Sequence, residues 1–465
     1  MAMGRRQRHR QQTMWLATEQ LPRTAGHVFY DRVNKILVEH GFDDFAEKAC
    51  QQFYAETMGR PGLAPGIYFR MQLIGYFEGI DSERGMAWRC ADSLSLREFI
   101  GAGLTGAVPD HSSVSRTRRL IDLETHGSVF SWMLGVLAEN GLVDGKTVGV
   151  DASTLEANAA MRSIVRRDTG ASYNEFLEDL AKASGIETPT REDLARVDRK
   201  RPKKGSNEDW VHPDDPDAAI TKMKDGRTHM AHKVEHAVDM KTGAVLAVTV
   251  QAANHGDTTT LTETLIELGA QMETLDSITD NIREDRVTEL VTDKGYQSNG
   301  TVTILRAAGV RTYMSEPDRG RRKWKDKAEE QKAVYANRRR IRGNRGKELL
   351  RQRGLMLERP FAHCLETGGL RRVHLRGRSN ILKRVLVHYA AFNLSLVLRQ
   401  QFGKGTPRGL QGLVTFHFFA LLLLISDLEA ALRCHHALSV SVDYQRDRFP
   451  IRPSLLENAT STTGC

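Results

Sequence analysis

Three acidic residues in the 465-residue chain stand where metal-assisted phosphoryl chemistry would need them: Asp151, Asp293 and Glu358. Asp151 closes the short apolar run Lys146–Asp151, and Asp293 follows the apolar run Val287–Thr292. Each therefore falls at the C-terminal end of an expected buried strand. In open α/β sheets, ligands bind outside those strand ends. Two carboxylates facing each other there repel, and a divalent cation with hard oxygen ligands is the natural counter-charge. Either aspartate alone reads equally as a turn or N-cap residue; the shared context favours the pair. Asp257 lies between Gly256 and a Thr-rich helix start, where an N-cap role is favoured over metal binding. Glu358 lies on the flank of an apolar helical stripe formed by Leu350, Leu357, Phe361 and Cys364, beside Arg351, Arg353 and Arg359. A surface salt bridge is its alternative role, and Glu348 and Glu366 are the fallback acids.

The elements that must position these acids follow from periodicity and turn signals. The N-terminal part, to about residue 125, reads as mostly helical, with segments at Gly66–Gly79, Leu94–Ile100 and Ser113–Leu123, the last with Ser112 or Ser113 as N-cap. His232–Asp239 and Ala244–Gln251 read as strands joined by the turn Lys241-Thr242-Gly243, a hairpin. A helix is expected over Thr259–Met272, another over Asn299–Ala308, and a strand over Val310–Met314. Residues 160–225 are polar and read as an insertion or mobile loop; 319–348 reads as a basic linker leading into the helix of Glu358. The order is that of an α/β domain with a mixed sheet. The expected organisation is a helical domain over 1–130, a catalytic domain over 145–400, and a helical or irregular tail over 401–465.

Composition narrows the partners. The net charge is +9 and the pI about 9.3, which favours a polyanion. The charge is clustered: between Arg319 and Arg353 there are 15 Lys/Arg against four acids. A second cluster holds Arg371, Arg372, Arg376, Arg378, Lys383 and Arg384. The five cysteines are scattered, with no C-x-x-C, which argues against a structural zinc site or a disulfide framework. The N-terminus is basic but lacks the apolar stretch of a signal peptide. Gly412–Ile425 is shorter than the roughly 20 residues that span a bilayer and reads as a buried helix. Gly141–Thr147 imitates a nucleotide-binding loop, but is one residue short and precedes a strand. His229, His232 and His236 lack the Cys or acid partners of a zinc site.

Several blocks then match one family in order. They include Gly59–Pro65, Phe77–Ile80, Ser93–Phe99, Pro109–Ser112, Val148–Asn158, Thr221–Gly226, Val291–Tyr296, Glu358–His363, Gly368–Arg372 and Arg376-Gly377. Through them the chain resembles the DDE transposases of bacterial insertion sequences. The resemblance implies a ribonuclease H-like mixed-sheet catalytic domain behind a mainly α-helical N-terminal domain. It maps the catalytic and metal-binding acids onto Asp151, Asp293 and Glu358. It implies two Mg²⁺ or Mn²⁺ ions serving in-line phosphoryl displacement. It further implies strand cleavage at element ends, transfer into target DNA, a homodimer on DNA, no membrane, and a bacterial cytoplasmic, nucleoid-associated location.

Many relatives carry Tyr, Arg, Glu and Lys at fixed spacing, which would fall at 351, 354, 358 and 365. Here those positions are Arg351, Gly354, Glu358 and Leu365, so only the Glu is retained. Arg353 or Arg371 is then the candidate phosphate contact, with Arg372 beside it. Backbone contacts to DNA are expected from Arg321, Arg322, Lys323, Arg338, Arg339, Arg340 and Arg342, and terminal-repeat recognition from Arg116, Arg118 and Arg119.

Overall fold

A computed structural model of the chain describes residues 21–410, apart from positions 22, 56–58, 60, 61, 202–204, 224, 280–286, 319 and 321. The apolar stretch 412–425, the rest of the expected C-terminal tail beyond residue 410, the first basic residues and Arg321 lie outside the described residues.

The described chain opens with seven helices: α1 (Ala25–Glu39), α2 (Phe42–Cys50), α3 (Pro65–Glu78), α4 (Glu83–Asp92), α5 (Leu94–Phe99), α6 (His111–Leu120) and α7 (Leu123–Glu139). α3 is apolar on nearly every side and buried along its length, as the central helix of a bundle must be. Pro65 starts it, and Gly79, at φ 69°, ends it in a left-handed conformation that favours glycine. α6 begins earlier than expected. Its N-cap is Asp110, whose carboxylate accepts from the Ser112 N–H at 2.8 Å, so neither Ser112 nor Ser113 is the cap.

The central strand β1 (Thr147–Glu156) follows, longer than the expected run to Asp151. The polar stretch after it is ordered. It contains β2 (Val165–Arg166), α8 (Tyr173–Ala183), α9 (Arg191–Lys200), β3 (Trp210–Val211) and β4 (Ala219–Lys222). Its stability comes from a small core of its own in which Ala157, Ile164, Trp210, Ala218, Ile220 and Met230 are buried together. A sequence window cannot see this core, because its members are single apolar residues scattered among charged ones.

The remaining elements are β5 (Thr228–Asp239), β6 (Val245–Ala252), α10 (Asp257–Thr279), β7 (Glu289–Thr292), α11 (Asn299–Ala307), β8 (Arg311–Met314), α12 (Ala328–Arg342), α13 (Asn344–Phe361) and α14 (Arg378–Phe402). The expected basic linker is thus largely the helix α12 and the start of α13. The hairpin β5–β6 forms as read. Across the main sheet the order is β4-β5-β1-β7-β8, with β6 also on β5. β1 is antiparallel to β5 and parallel to β7, and β7 is parallel to β8. This mixed order, with helices on both faces, is the ribonuclease H-like arrangement, behind a helical N-terminal region.

α14 joins the two regions. It is long and apolar enough to cross a membrane, but 94% of that stretch is buried inside the structure, so it is a core helix. Two members of the expected second basic cluster lie on it and do not face solvent. Lys383 donates to the carbonyls of Arg118 (3.1 Å) and Ile121 (2.7 Å). Arg384 donates to Gln72 Oε1 (2.5 Å) and the Ile80 carbonyl (2.7 Å). Farther along, Asn393 accepts from the Val245 N–H (2.9 Å) and donates to its carbonyl (2.8 Å), satisfying the first residue of β6. Replacing Asn393 with Ala orphans both backbone groups. Urea denaturation should show a loss of about 2 kcal/mol, the cost of leaving buried polar groups unpaired.

Candidate active site

The site is built where the parallel pairing of β1 and β7 stops. Asp151 is not the strand end expected from the sequence, because β1 runs on to Glu156 and Asp151 itself pairs with His236 on β5, whereas Asp293 does follow the last residue of β7. The β1–β7 pairing stops at Val150 opposite Thr292. Asp151 and Asp293 are the next residues on strands that run about 4.8 Å apart. Asp293 is fixed by its own turn: its Oδ1 accepts the Gly295 N–H at 2.7 Å, capping a single 3₁₀ turn at Lys294–Tyr296. Asp151 faces α13. Arg353 comes to 3.5 Å of its carboxylate, the two side chains being 25% and 22% exposed.

α13 can lie on β1 because residue 149 is glycine. A Cβ there would approach a Leu357 methyl carbon and the Met240 sulfur, each to 2.7 Å, closer than packed atoms come. The start of α13 is tied to the sheet by Arg345, which pairs with Glu289. Glu289 also accepts from Thr147 (2.7 Å) and Tyr313 (3.0 Å), and these partners hold its carboxyl down at about 2 against the upward push of burial.

Asp257 belongs to the group, and its expected N-cap role is corrected. It is the first residue of α10, and the N–H groups of Thr259 and Thr260 bond the Gly256 carbonyl instead. Its Oδ1 accepts from Lys233 at 2.6 Å. A Cβ on Gly295 would run into Asp257 Oδ2 and lie 3.1 Å from Asp293 Oδ1, so the two carboxylates crowd the same glycine. Below them Glu235 is fully buried, accepting from Thr260 (2.8 Å), Thr264 (2.5 Å) and Tyr296 (2.8 Å), with Lys233 at 3.8 Å. Lys233 and Glu235 are two apart on β5 and so share one face. The alternation of a charged pair inside an apolar strand is the signal by which they were findable in the sequence.

Glu358 is placed differently. It is exposed, has no hydrogen-bond or ion-pair partner among the described residues, and its Oε1 lies 4.0 Å from the Cβ position of Gly354. Arg353, five residues earlier and so about 140° around the helix, is the α13 residue that reaches Asp151. Among the described residues no three His, Cys, Asp or Glu side chains converge to grip one ion. The three histidines weighed above have other roles. His229 pairs with Asp225 (2.9 Å), His232 with buried Asp215 (3.1 Å), and His236 stacks on Phe361 at 3.8 Å.

The basic candidates divide. Arg118 is 7% exposed and bound to Glu83 (2.7 Å) and Asn380 (2.6 Å), so it is a packing residue; Arg116 and Arg119 are exposed. Arg322 and Arg338 both pair with Glu316, and Arg340 donates to the Thr312 carbonyl at 2.9 Å. Lys323, Arg339 and Arg342 are exposed and without a protein partner among the described residues. Arg371 pairs with Glu366 and reaches Ser153 Oγ at 3.3 Å; Arg372 lies 3.8 Å from Glu156.

Burial pushes the Asp151 carboxyl up to about 6, with Asp293 and Asp257 adding to the rise and Arg353 opposing it. A carboxyl raised in the folded state makes its ionised form a destabilising one. The folded protein gains relative stability from this group as pH falls from above 6 towards the unfolded value near 4. Asp151→Asn should therefore stabilise the fold at pH 8 in chelator by up to about 3 kcal/mol, seen as a higher melting temperature. The gain should shrink below pH 6, which differential scanning calorimetry would show.

Two family models match the chain in order. One, described as Transposase domain (DUF772), covers residues 17–120, the region of α1–α6. The other, described as Transposase DDE domain, covers residues 183–394, from the end of α8 into α14. The second includes Asp257, Asp293 and Glu358 and begins after Asp151. No curated protein and no solved structure gives a match. With both transposase regions present in sequence on a ribonuclease H-like sheet, the chain belongs to the DDE transposases of insertion-sequence type, a family of enzymes that act on DNA and generally use divalent metal ions.

Proposed function

We propose that this transposase cuts DNA strands at the ends of its element and joins the freed 3′ ends to target DNA, at a site centred on Asp151 and Asp293. One observation carries the assignment: two carboxylates follow the last paired residues of adjacent parallel strands, and one of them is pushed up by burial beside its neighbours. Such a pair needs positive charge to stay ionised together. The donor set is all hard oxygen, which suits Mg²⁺ or Mn²⁺, and two carboxylates completed by phosphate oxygens of the substrate are a usual Mg²⁺ environment. Two such ions, when bound, would supply Lewis-acid stabilisation of the attacking and leaving oxygens of an in-line displacement.

The chain's own residues do the rest. Asp151 and Asp293 supply the carboxylates where the parallel β1–β7 pairing stops. Arg353, at the Asp151 carboxylate, is the cation placed to exchange that contact for a phosphate oxygen of the scissile strand. Glu358 is the third acid by its place in the family block, and to take part its side chain must turn from its exposed position over Gly354. Arg116, Arg119, Lys323, Arg339 and Arg342 face solvent and supply DNA backbone contacts; Arg116 and Arg119 are assigned to the terminal repeats. A homodimer, one copy per element end, follows from family analogy.

The assay is cleavage and joining of labelled DNA carrying the element's own ends, with Mg²⁺ or Mn²⁺. Asp151→Asn and Asp293→Asn should each lose both steps by at least about a hundredfold while still binding DNA. Retained activity in either variant would place the chemistry elsewhere. Products cut but never joined would leave a nuclease. Arg339→Ala with Arg342→Ala should weaken DNA binding evenly across sequences and lower the salt dependence by about one charge per residue removed.

A further inference from the structure

Asp257 has one oxygen committed and one directed at the site. Its Oδ1 is held by the Lys233 ammonium at 2.6 Å, and Lys233 is itself fixed by Thr260 Oγ1 at 2.9 Å and by the His255 carbonyl at 3.4 Å. Lys233 is 4% exposed and Thr260 2%, so this anchor is a rigid part of the floor between β5 and α10. The other oxygen, Oδ2, lies against the position a Gly295 Cβ would take, and Asp293 Oδ1 lies 3.1 Å from that same position. Asp293 thus has two acid neighbours, Asp151 across the strand pair and Asp257 beside Gly295, and Asp257 also acts on Asp151. A salt bridge alone would explain Oδ1. It does not explain why Oδ2 is brought beside a second carboxylate, which raises the electrostatic cost of keeping both ionised.

We infer that Asp257 is a third functional acid of this site, forming with Asp293 a second carboxylate pair that helps to bind divalent cation. The inference rests on the proposed assignment of Asp151 and Asp293. It adds to the family's three acids a residue on a different element, the first turn of α10. No three carboxylates converge on one point among the described residues. Two pairs sharing Asp293 accommodate that spacing, each pair leaving room for oxygen ligands from substrate or water. The pair depends on Gly295, because a side chain there would displace Asp257 Oδ2 and crowd Asp293 Oδ1.

The test is a calorimetric titration of the DNA-free protein with Mn²⁺, with folding checked by thermal melting. Asp257→Asn should weaken Mn²⁺ binding about tenfold, a change of about 1.4 kcal/mol, without lowering the melting temperature enough to unfold the protein. Gly295→Ala keeps every carboxylate and should also weaken binding by separating two of them; it decides the matter if Asp257→Asn does not fold. Affinity within twofold of the unsubstituted protein in Asp257→Asn, or in Gly295→Ala when that variant has to decide, overturns the inference. If Asp151→Asn and Asp293→Asn lose Mn²⁺ in the same experiment, the proposed site stands without Asp257. If those two also keep full affinity, the underlying assignment falls.

Discussion

A helix lies directly on the central strand at Gly149, and the geometry of the site depends on that approach. Any side chain at this position would meet Leu357 and Met240 and lift α13 off β1. Lifting α13 would carry Arg353 away from Asp151 and leave a partly buried carboxylate without its nearest cation. The cost of such an unpaired charge is large compared with the stability of a domain. The approach is held at the other end of the helix by Arg345 on Glu289, a carboxylate that also binds β1 through Thr147 and β8 through Tyr313. One acid therefore ties three strands' worth of sheet to the helix that crosses it.

Electrostatics at the site follows from this frame. Asp151, Asp257 and Asp293 are brought together from a strand, a helix start and a turn, and among the described residues Arg353 and Lys233 are the cations that pair with them. The excess of negative charge is local, in a chain of net charge +9. Elsewhere, Arg116 and Arg119 on α6 and Arg339 and Arg342 on α12 are exposed. A basic protein with an acidic centre is suited to a polyanion whose backbone must be drawn in and then met by cations at one point.

The helical region and the sheet are joined by α14, and this changes the meaning of several charged residues. Lys383 and Arg384 look like surface charge in the sequence. In the fold they cap carbonyls at the ends of α3 and α6 and bond Gln72, which holds the N-terminal helices on α14. Arg118 does the same through Glu83 and Asn380. Movement of the N-terminal helices on binding DNA would thus break buried, charge-assisted hydrogen bonds, each worth about 1.5–3 kcal/mol. The helical region and the sheet are built to move as one.

The sequence by itself determined the strands β1, β5, β6, β7 and β8, but neither the short strands β2, β3 and β4 of the polar stretch nor the order of pairing. An apolar run ending in acid placed Asp293 at the end of β7, and put Asp151 on β1, although that strand runs on past it to Glu156. The hairpin β5–β6 was equally legible, from its turn and its apolar strands. What only the tertiary structure decided was which charges meet. Asp257 read as an N-cap because its local context is that of a helix start, and its approach to Asp293 depends on a glycine 38 positions away in the chain. Arg118, Lys383 and Arg384 read as surface because no window shows a partner hundreds of residues distant. Glu358 carried its family's motif, yet helical phase turned Arg353 towards Asp151 in its place. Local periodicity fixes elements and their ends; the pairing of charges is a long-range property, set by the approach of one element to another.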